Sequence, residues 1–129
     1  MKRLFTLIAL CFCAVNLYAQ NRVYCEIVER KSFGKKVKVI VDFGQKRQKN
    51  NAAQTLVDKN GDMVIFNSKI DALNYLDSLG WNFLQAYTEV NGSDGDASSQ
   101  IHWLLYKEIT DNEDPYKGLI TKEMSDKGI

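Results

Sequence analysis

Few side chains in this sequence could carry out chemistry. His102 is the only histidine, and Cys25 is the only cysteine outside the first nineteen residues. A thiol and an imidazole can form a nucleophilic pair, but strand alternation predicts that these two point to opposite faces of a sheet, and Cys25 is then a small buried apolar residue. Zinc needs about four such ligands. The sequence therefore predicts neither a catalytic site nor a bound metal or cofactor.

Two acidic clusters give the same result. Residues 58–62, Asp-Lys-Asn-Gly-Asp, look like the start of a calcium loop, but Met63 and Lys69 stand where an EF-hand needs glycine and glutamate. A β-turn explains this segment better. Residues 111–114 contain three carboxylates in a polar tail, which is a poor setting for general acid–base catalysis. We therefore expect a protein that is not an enzyme.

The N-terminus has the pattern of a signal peptide. Lys2 and Arg3 precede an apolar run that is too short to span a bilayer, and Ala19 offers a small residue at a cleavage site. The expected organisation is a signal peptide at 1–19, one domain at 20–109 and a polar C-terminal tail at 110–129. The mature chain has no further apolar segment of membrane-spanning length, so we expect a periplasmic or secreted protein.

The charges are unevenly distributed along the chain. Residues 22–59 contain ten Lys and Arg against four Asp and Glu, whereas residues 60–129 contain five against twelve. A basic face for an anionic partner is one reading, and mutual neutralisation across the folded sheet is the other. Export and a net charge of only +1 argue against a nucleic-acid partner.

The segment at residues 68–90 predicts the central elements of the fold. Apolar residues recur at Ile70, Leu73, Leu76 and Leu79, which predicts a helix capped by Ser68 and ended by Gly80. A strand should follow from Trp81 to Val90, and because it is apolar on both faces we expect it in the centre of a sheet.

The other segments predict further strands. Alternation predicts strands at residues 23–29, 36–43 and 101–109 and a short hairpin at 56–66, separated by exposed loops at 44–55 and 91–100. These elements can bury their apolar faces as an α+β two-layer sandwich, in which one main helix covers an antiparallel sheet of four to six strands.

A resemblance supports this architecture. The run Ala72-Leu73-x-x-Leu76-x-x-Leu79-Gly80-Trp81-x-Phe83, followed by a closing strand at Trp103–Lys107, resembles a class of small bacterial domains of unknown function. The chain as a whole is similar to small exported Bacteroides-type proteins with no assigned activity. Leu73, Leu76, Gly80 and Trp81 carry the likeness, and the additional segment at 44–66 departs from it. The resemblance implies a fold and no chemistry.

The face of the sheet away from the helix is the candidate interaction surface. Strand parity leaves more apolar surface there than a monomer usually exposes, contributed by Tyr24, Val28, Ile40, Leu84, Leu104 and Tyr106. A homodimer through this face, an unknown protein partner, and coverage by the chain's own loop and tail are the three alternatives. The rival function is a ligand-binding or enzymatic pocket near Trp81, Trp103 and His102.

Overall fold

A computed structural model describes residues 21–46, 51–92, 98–110 and 112–129. Its strands and helices, in chain order, are β1 (Asn21–Lys31), β2 (Val37–Asp42), a 3₁₀ turn (Asn51–Gln54), β3 (Leu56–Val57), α1 (Lys69–Ser78), β4 (Asn82–Asn91), β5 (Ser98–Ile109), β6 (Ile120–Thr121) and α2 (Lys122–Asp126).

Antiparallel sheet dominates the structure. Four strands pair in the order β2-β1-β5-β4, and β3 pairs with β6 in a second, two-stranded sheet. A turn containing Gly34 at φ +68° joins β1 to β2 as a hairpin. A mostly antiparallel architecture with few helices fits the predicted α+β class.

The core lies between α1 and one face of the larger sheet. Alternate residues of the strands point to this face, because successive side chains of a strand alternate. They meet Ala72 and Leu76 of α1, both of which are fully buried. The strand residues in this cluster are Cys25, Ile27, Val37, Val39, Val41 and Leu105.

Local signals define both ends of α1. The Ser68 hydroxyl accepts a hydrogen bond of 3.2 Å from the Asp71 backbone N–H, which is the predicted N-cap. Gly80 at φ +89° ends the helix, and the Trp81 backbone N–H donates to the Leu76 carbonyl at 3.0 Å. The predicted buried stripe is wrong at Ile70, which is 58% exposed because it lies outside the Ala72–Leu76 face.

The strand after α1 differs from its prediction in start and position. It begins at Asn82, because the Trp81 N–H is used by the helix end; Trp81 itself is buried in the core. Among the described strands β4 pairs only with β5, so it is an edge strand, and the predicted central position is wrong. The apolar residues on both faces of β4 are therefore exposed, and they do not mark a strand that is buried on both faces.

The segment after β5 belongs to the fold and is not a polar tail. Leu119 is fully buried in the core, Ile120 and Thr121 form β6, and the Lys122 N–H donates to the Thr55 carbonyl at 2.9 Å. The loop expected at 44–55 is likewise not wholly exposed, because Gln54 and Thr55 are buried. The two segments bury each other, which no local pattern encodes.

Some predicted segments lie outside the described residues. These are the signal peptide at 1–19 and parts of the two loops, at residues 47–50 and 93–97. Within the described ranges, no helix combines the length and the apolar character needed to cross a bilayer.

Candidate functional site

The predicted interaction residues largely share one face of the sheet. We call the face opposite α1 the open face. The strand register places five of the six residues on it, namely Tyr24, Val28, Ile40, Leu104 and Tyr106. Leu84 falls at the register irregularity between Phe83 and Gln85, so alternation does not assign it to this face.

The two ends of the open face differ in how far other parts of the chain bury them. Val28 and Ile40 are each only 9% exposed, and Ile40 forms a bridge to Thr55, next to the 3₁₀ turn. At the other end, Tyr24 is 48% exposed. Coverage by the chain's own loop therefore applies to only two of the six predicted residues, Val28 and Ile40.

A polar cluster occupies the middle of the open face. His102 of β5 lies between β1 and β4, and its Nδ1 is 2.5 Å from Glu26 Oε1. The Tyr87 hydroxyl donates to Glu26 Oε2, and the Tyr87 ring stacks on the imidazole at a centroid distance of 5.0 Å. We call Glu26, Tyr87, Glu89 and His102 the imidazole cluster.

The second imidazole nitrogen has a different environment. His102 Nε2 is 3.0 Å from Glu89 Oε2, yet it is buried without a partner in hydrogen-bond geometry. His102 is 7% exposed, whereas half of the Glu89 side chain reaches solvent. The imidazole is thus fixed on its Glu26 side and unsatisfied on its Glu89 side.

A cavity of about 690 Å³ opens beside the imidazole cluster. Its apolar wall includes Tyr24, Phe43 and Leu104, and its acidic lining is Glu26, Asp42 and Glu89. A smaller cavity of about 240 Å³ continues towards the 3₁₀ turn and shares His102 and both glutamates. Gln54 lines this second cavity, and its buried Nε2 also lacks a partner.

The structure does not bring together the alternative pocket predicted near the two tryptophans and His102. Trp81 is buried in the core, and Trp103 lies on the α1 side of β5, where its ring contacts Phe83 at a centroid distance of 5.4 Å. His102 follows the opposite parity and faces the imidazole cluster. Both tryptophans therefore lie on the core side of the sheet, away from His102.

Cys25 and His102 lie on opposite faces, as strand parity predicted. Cys25 is in the core, and its burial, reinforced by the carboxylates of Asp42 and Glu26, raises the pKa of its thiol to about 12. A thiol in this state is not a nucleophile at neutral pH.

Sequence reasoning identified His102 but missed its partners. Glu26 was the available signal, because it has the same parity as Tyr24 and Val28 and is the only charged residue between Val23 and Val28. Tyr87 and Glu89 reach the same face only because the β4 irregularity shifts the later register.

The described residues contain no group of three or more His, Cys, Asp or Glu side chains arranged to hold a metal ion. The sequence matches no protein-family model, and neither a curated protein nor a solved structure shows significant similarity to it.

Proposed function

We propose that this chain is an exported binding protein that self-associates through the outer edge of β4. One observation carries the proposal: all ten residues of this edge strand are exposed. An edge strand presents unpaired backbone N–H and C=O groups, which a further strand can satisfy.

The composition of β4 does not protect this edge. Monomeric proteins protect edge strands with charges, proline or bulges. β4 contains neither lysine nor proline, and its only charged residue is Glu89. Its irregularity lies near the start, between Phe83 and Gln85, so the following seven residues form a regular strand.

The opposite edge of the sheet is treated differently. β2 is bridged on its outer side by Phe66, at Val37, and by Thr55, at Ile40. The Phe66 N–H donates to the Val37 carbonyl at 2.8 Å, and the Val37 N–H donates back at 2.9 Å. Only one of the two edges is thus covered within the described chain, which points to β4 as the edge that takes a partner.

The side chains of β4 add apolar area to this edge. Phe83, Leu84, Tyr87 and Val90 are between 43% and 64% exposed. Burying such area contributes roughly 25 cal/mol per Å². An unprotected edge combined with exposed aromatic and aliphatic side chains is typical of strand-to-strand association.

A second copy is the occupant that this strand fits. The regular segment at 85–91 is centred on Thr88, so an antiparallel copy about a two-fold axis at Thr88 pairs all seven residues. Ala86 then lies opposite Val90, and Tyr87 opposite Glu89. No pair joins like charges, and the product is a continuous eight-stranded sheet.

Sedimentation velocity of the purified protein over a dilution series tests the proposal. The wild type should sediment as a dimer that dissociates on dilution. Thr88→Lys places two lysine side chains at directly opposed positions on the axis, and exposed like charges in such a pair cost about 1 kcal/mol. The dimer should therefore weaken by about fivefold, and less at high salt because the repulsion is screened.

Thr110→Lys is the matched control, because it makes the same substitution at an exposed position beyond the end of β5. This variant should dimerise like the wild type. A wild type that is monomeric at every concentration, or a dimer that Thr88→Lys leaves intact, would refute self-association through β4. If β4 is instead found paired with a strand of another protein, that protein and not a second copy of this chain is the partner.

A further inference from the structure

We propose that the cavity beside the imidazole cluster binds a primary alkylammonium group, held by His102 Nε2 and the Glu89 carboxylate. This proposal does not rest on β4 pairing, because one copy of the chain supplies both His102 and Glu89 on its open face.

The hydrogen-bond partners assign the imidazole proton. Nδ1 is 2.5 Å from Glu26 Oε1, and a carboxylate can only accept, so Nδ1 carries the proton. The Tyr87 hydroxyl occupies the other Glu26 oxygen and further fixes this arrangement. In the neutral ring, this tautomer presents the lone pair of Nε2 as an acceptor.

In this tautomer, two acceptors lie side by side. His102 Nε2 and Glu89 Oε2 are 3.0 Å apart, and no hydrogen bond joins them. A buried acceptor without a donor carries the full cost of its lost hydration, and His102 is only 7% exposed. A donor group placed between the two atoms would satisfy both.

The electrostatics of the cavity favour a cationic donor. Among the described residues, its lining includes the carboxylates of Glu26, Asp42 and Glu89 and no lysine or arginine. A primary ammonium supplies three N–H donors and a positive charge, and the exposed ring of Tyr24 can also contact a cation. Phe43 and Leu104 line the same cavity and provide apolar contact for an alkyl chain.

Other occupants fit the lining less well. A metal ion bound by His102 and Glu89 would lack further ligands, because the described chain assembles no group of three. An anion would face three carboxylates. A free alkylamine and a lysine side chain of a peptide share the required chemistry, and the test below compares these two sources.

Isothermal titration calorimetry with hexylammonium, hexanoate and hexyltrimethylammonium tests the proposal at about pH 8, where the amine is charged. Hexylammonium should bind saturably. Hexanoate should not bind, and hexyltrimethylammonium, which has no N–H donor, should bind at least about fivefold more weakly. Nα-acetyl-lysine amide, which keeps its side-chain ammonium, is added as a fourth ligand and shows whether a peptide's lysine side chain is accepted.

Imidazole NMR provides a second readout that needs no variant. The sequence has one histidine, so its ring signals are unambiguous. Hexylammonium should shift the Nε2 resonance of His102 with the same saturation curve as the calorimetry. This measurement keeps the proposal testable if a substituted protein fails to fold.

Glu89→Gln should weaken hexylammonium at least about tenfold, whereas the matched variant Glu108→Gln should change binding less than twofold, or about 0.4 kcal/mol. Glu108 lies outside the cavity and pairs with Arg22 at 3.1 Å. Equal binding of hexanoate, a static His102 signal, or equal losses in both variants would overturn the proposal. Calorimetry at protein concentrations at which sedimentation shows only monomer should still give saturable hexylammonium binding, so failure of dimerisation and failure of ligand binding are distinguishable.

Discussion

Replacing Leu119 by alanine tests whether the C-terminal segment is part of the cooperative fold. Leu119 is fully buried and belongs to the same apolar cluster as Leu76 and Trp81. Its backbone is also fixed, because its N–H donates to the Tyr116 carbonyl at 2.8 Å. The side chain therefore has little freedom to relax when its methyl groups are removed.

The expected loss of stability follows from this burial. Removing three carbon atoms loses about 2.4 kcal/mol of transfer free energy at about 0.8 kcal/mol each. The remaining cavity adds to this loss, and buried Leu→Ala substitutions in general cost about 2–5 kcal/mol. We expect about 3 kcal/mol, which is a large fraction of the roughly 5–15 kcal/mol that stabilises a small domain.

Urea unfolding followed by tryptophan fluorescence measures this change, because Trp81 is buried in the same cluster. The transition midpoint should fall at an unchanged slope. Ile129→Ala is the control; Ile129 is 79% exposed, so its loss should stay within about 0.5 kcal/mol. A loss below about 1 kcal/mol for Leu119→Ala would show that the segment contributes little, which contradicts its assignment to the core.

Three further predictions concern Cys25 and the N-terminus. Cys25 should resist an aromatic disulfide reagent at about pH 8 in the folded protein and react fully in denaturant; rapid native reaction would contradict its burial. Burial raises the pKa of its thiol from 9.0 to about 12, so the unfolded chain ionises first. The free energy of unfolding should therefore fall as pH rises from about 9 towards 12, and urea titrations should show a smaller fall in Cys25→Ala. If the protein is exported as proposed, intact mass of the secreted product should correspond to a chain that starts at Gln20; a product retaining Met1 would exclude cleavage.

The locally encoded parts of the fold were predictable from the sequence. Ser68 and Gly80 define the ends of α1 because a cap depends on residues within one turn. Alternation located β1, β2 and β5 within three residues at each end for a similar reason. These signals need no knowledge of what packs against the element.

The order of strands was not predictable in this way. β4 was expected at the centre because both of its faces are apolar, and only its pairing with β5 alone reveals an edge. Leu119 lies in a short apolar run within polar sequence, so neither the two-residue period of a strand nor the 3.6-residue period of a helix predicts that it is buried. Its burial depends on β6 pairing with β3, more than sixty residues earlier in the chain.

The imidazole cluster illustrates the same limit. His102 and Glu26 are seventy-six residues apart and meet because β5 pairs with β1. Glu89 reaches them through the register of β4, which its irregularity changes. Parity correctly separated His102 from Cys25, but parity alone cannot state which strands are neighbours.

Disulfide trapping at Thr88 tests the proposed β4 dimer most directly. With the two-fold axis at Thr88, the two Cα atoms of this position lie about 4.5–5.5 Å apart, which is within disulfide reach. Thr88→Cys should form a covalent dimer under mild oxidation. Val90→Cys should not, because Val90 lies opposite Ala86 and far from its own copy. Cys25 is buried in both variants and should not contribute. A purely monomeric Thr88→Cys band, or equal crosslinking of both variants, would contradict the proposed pairing.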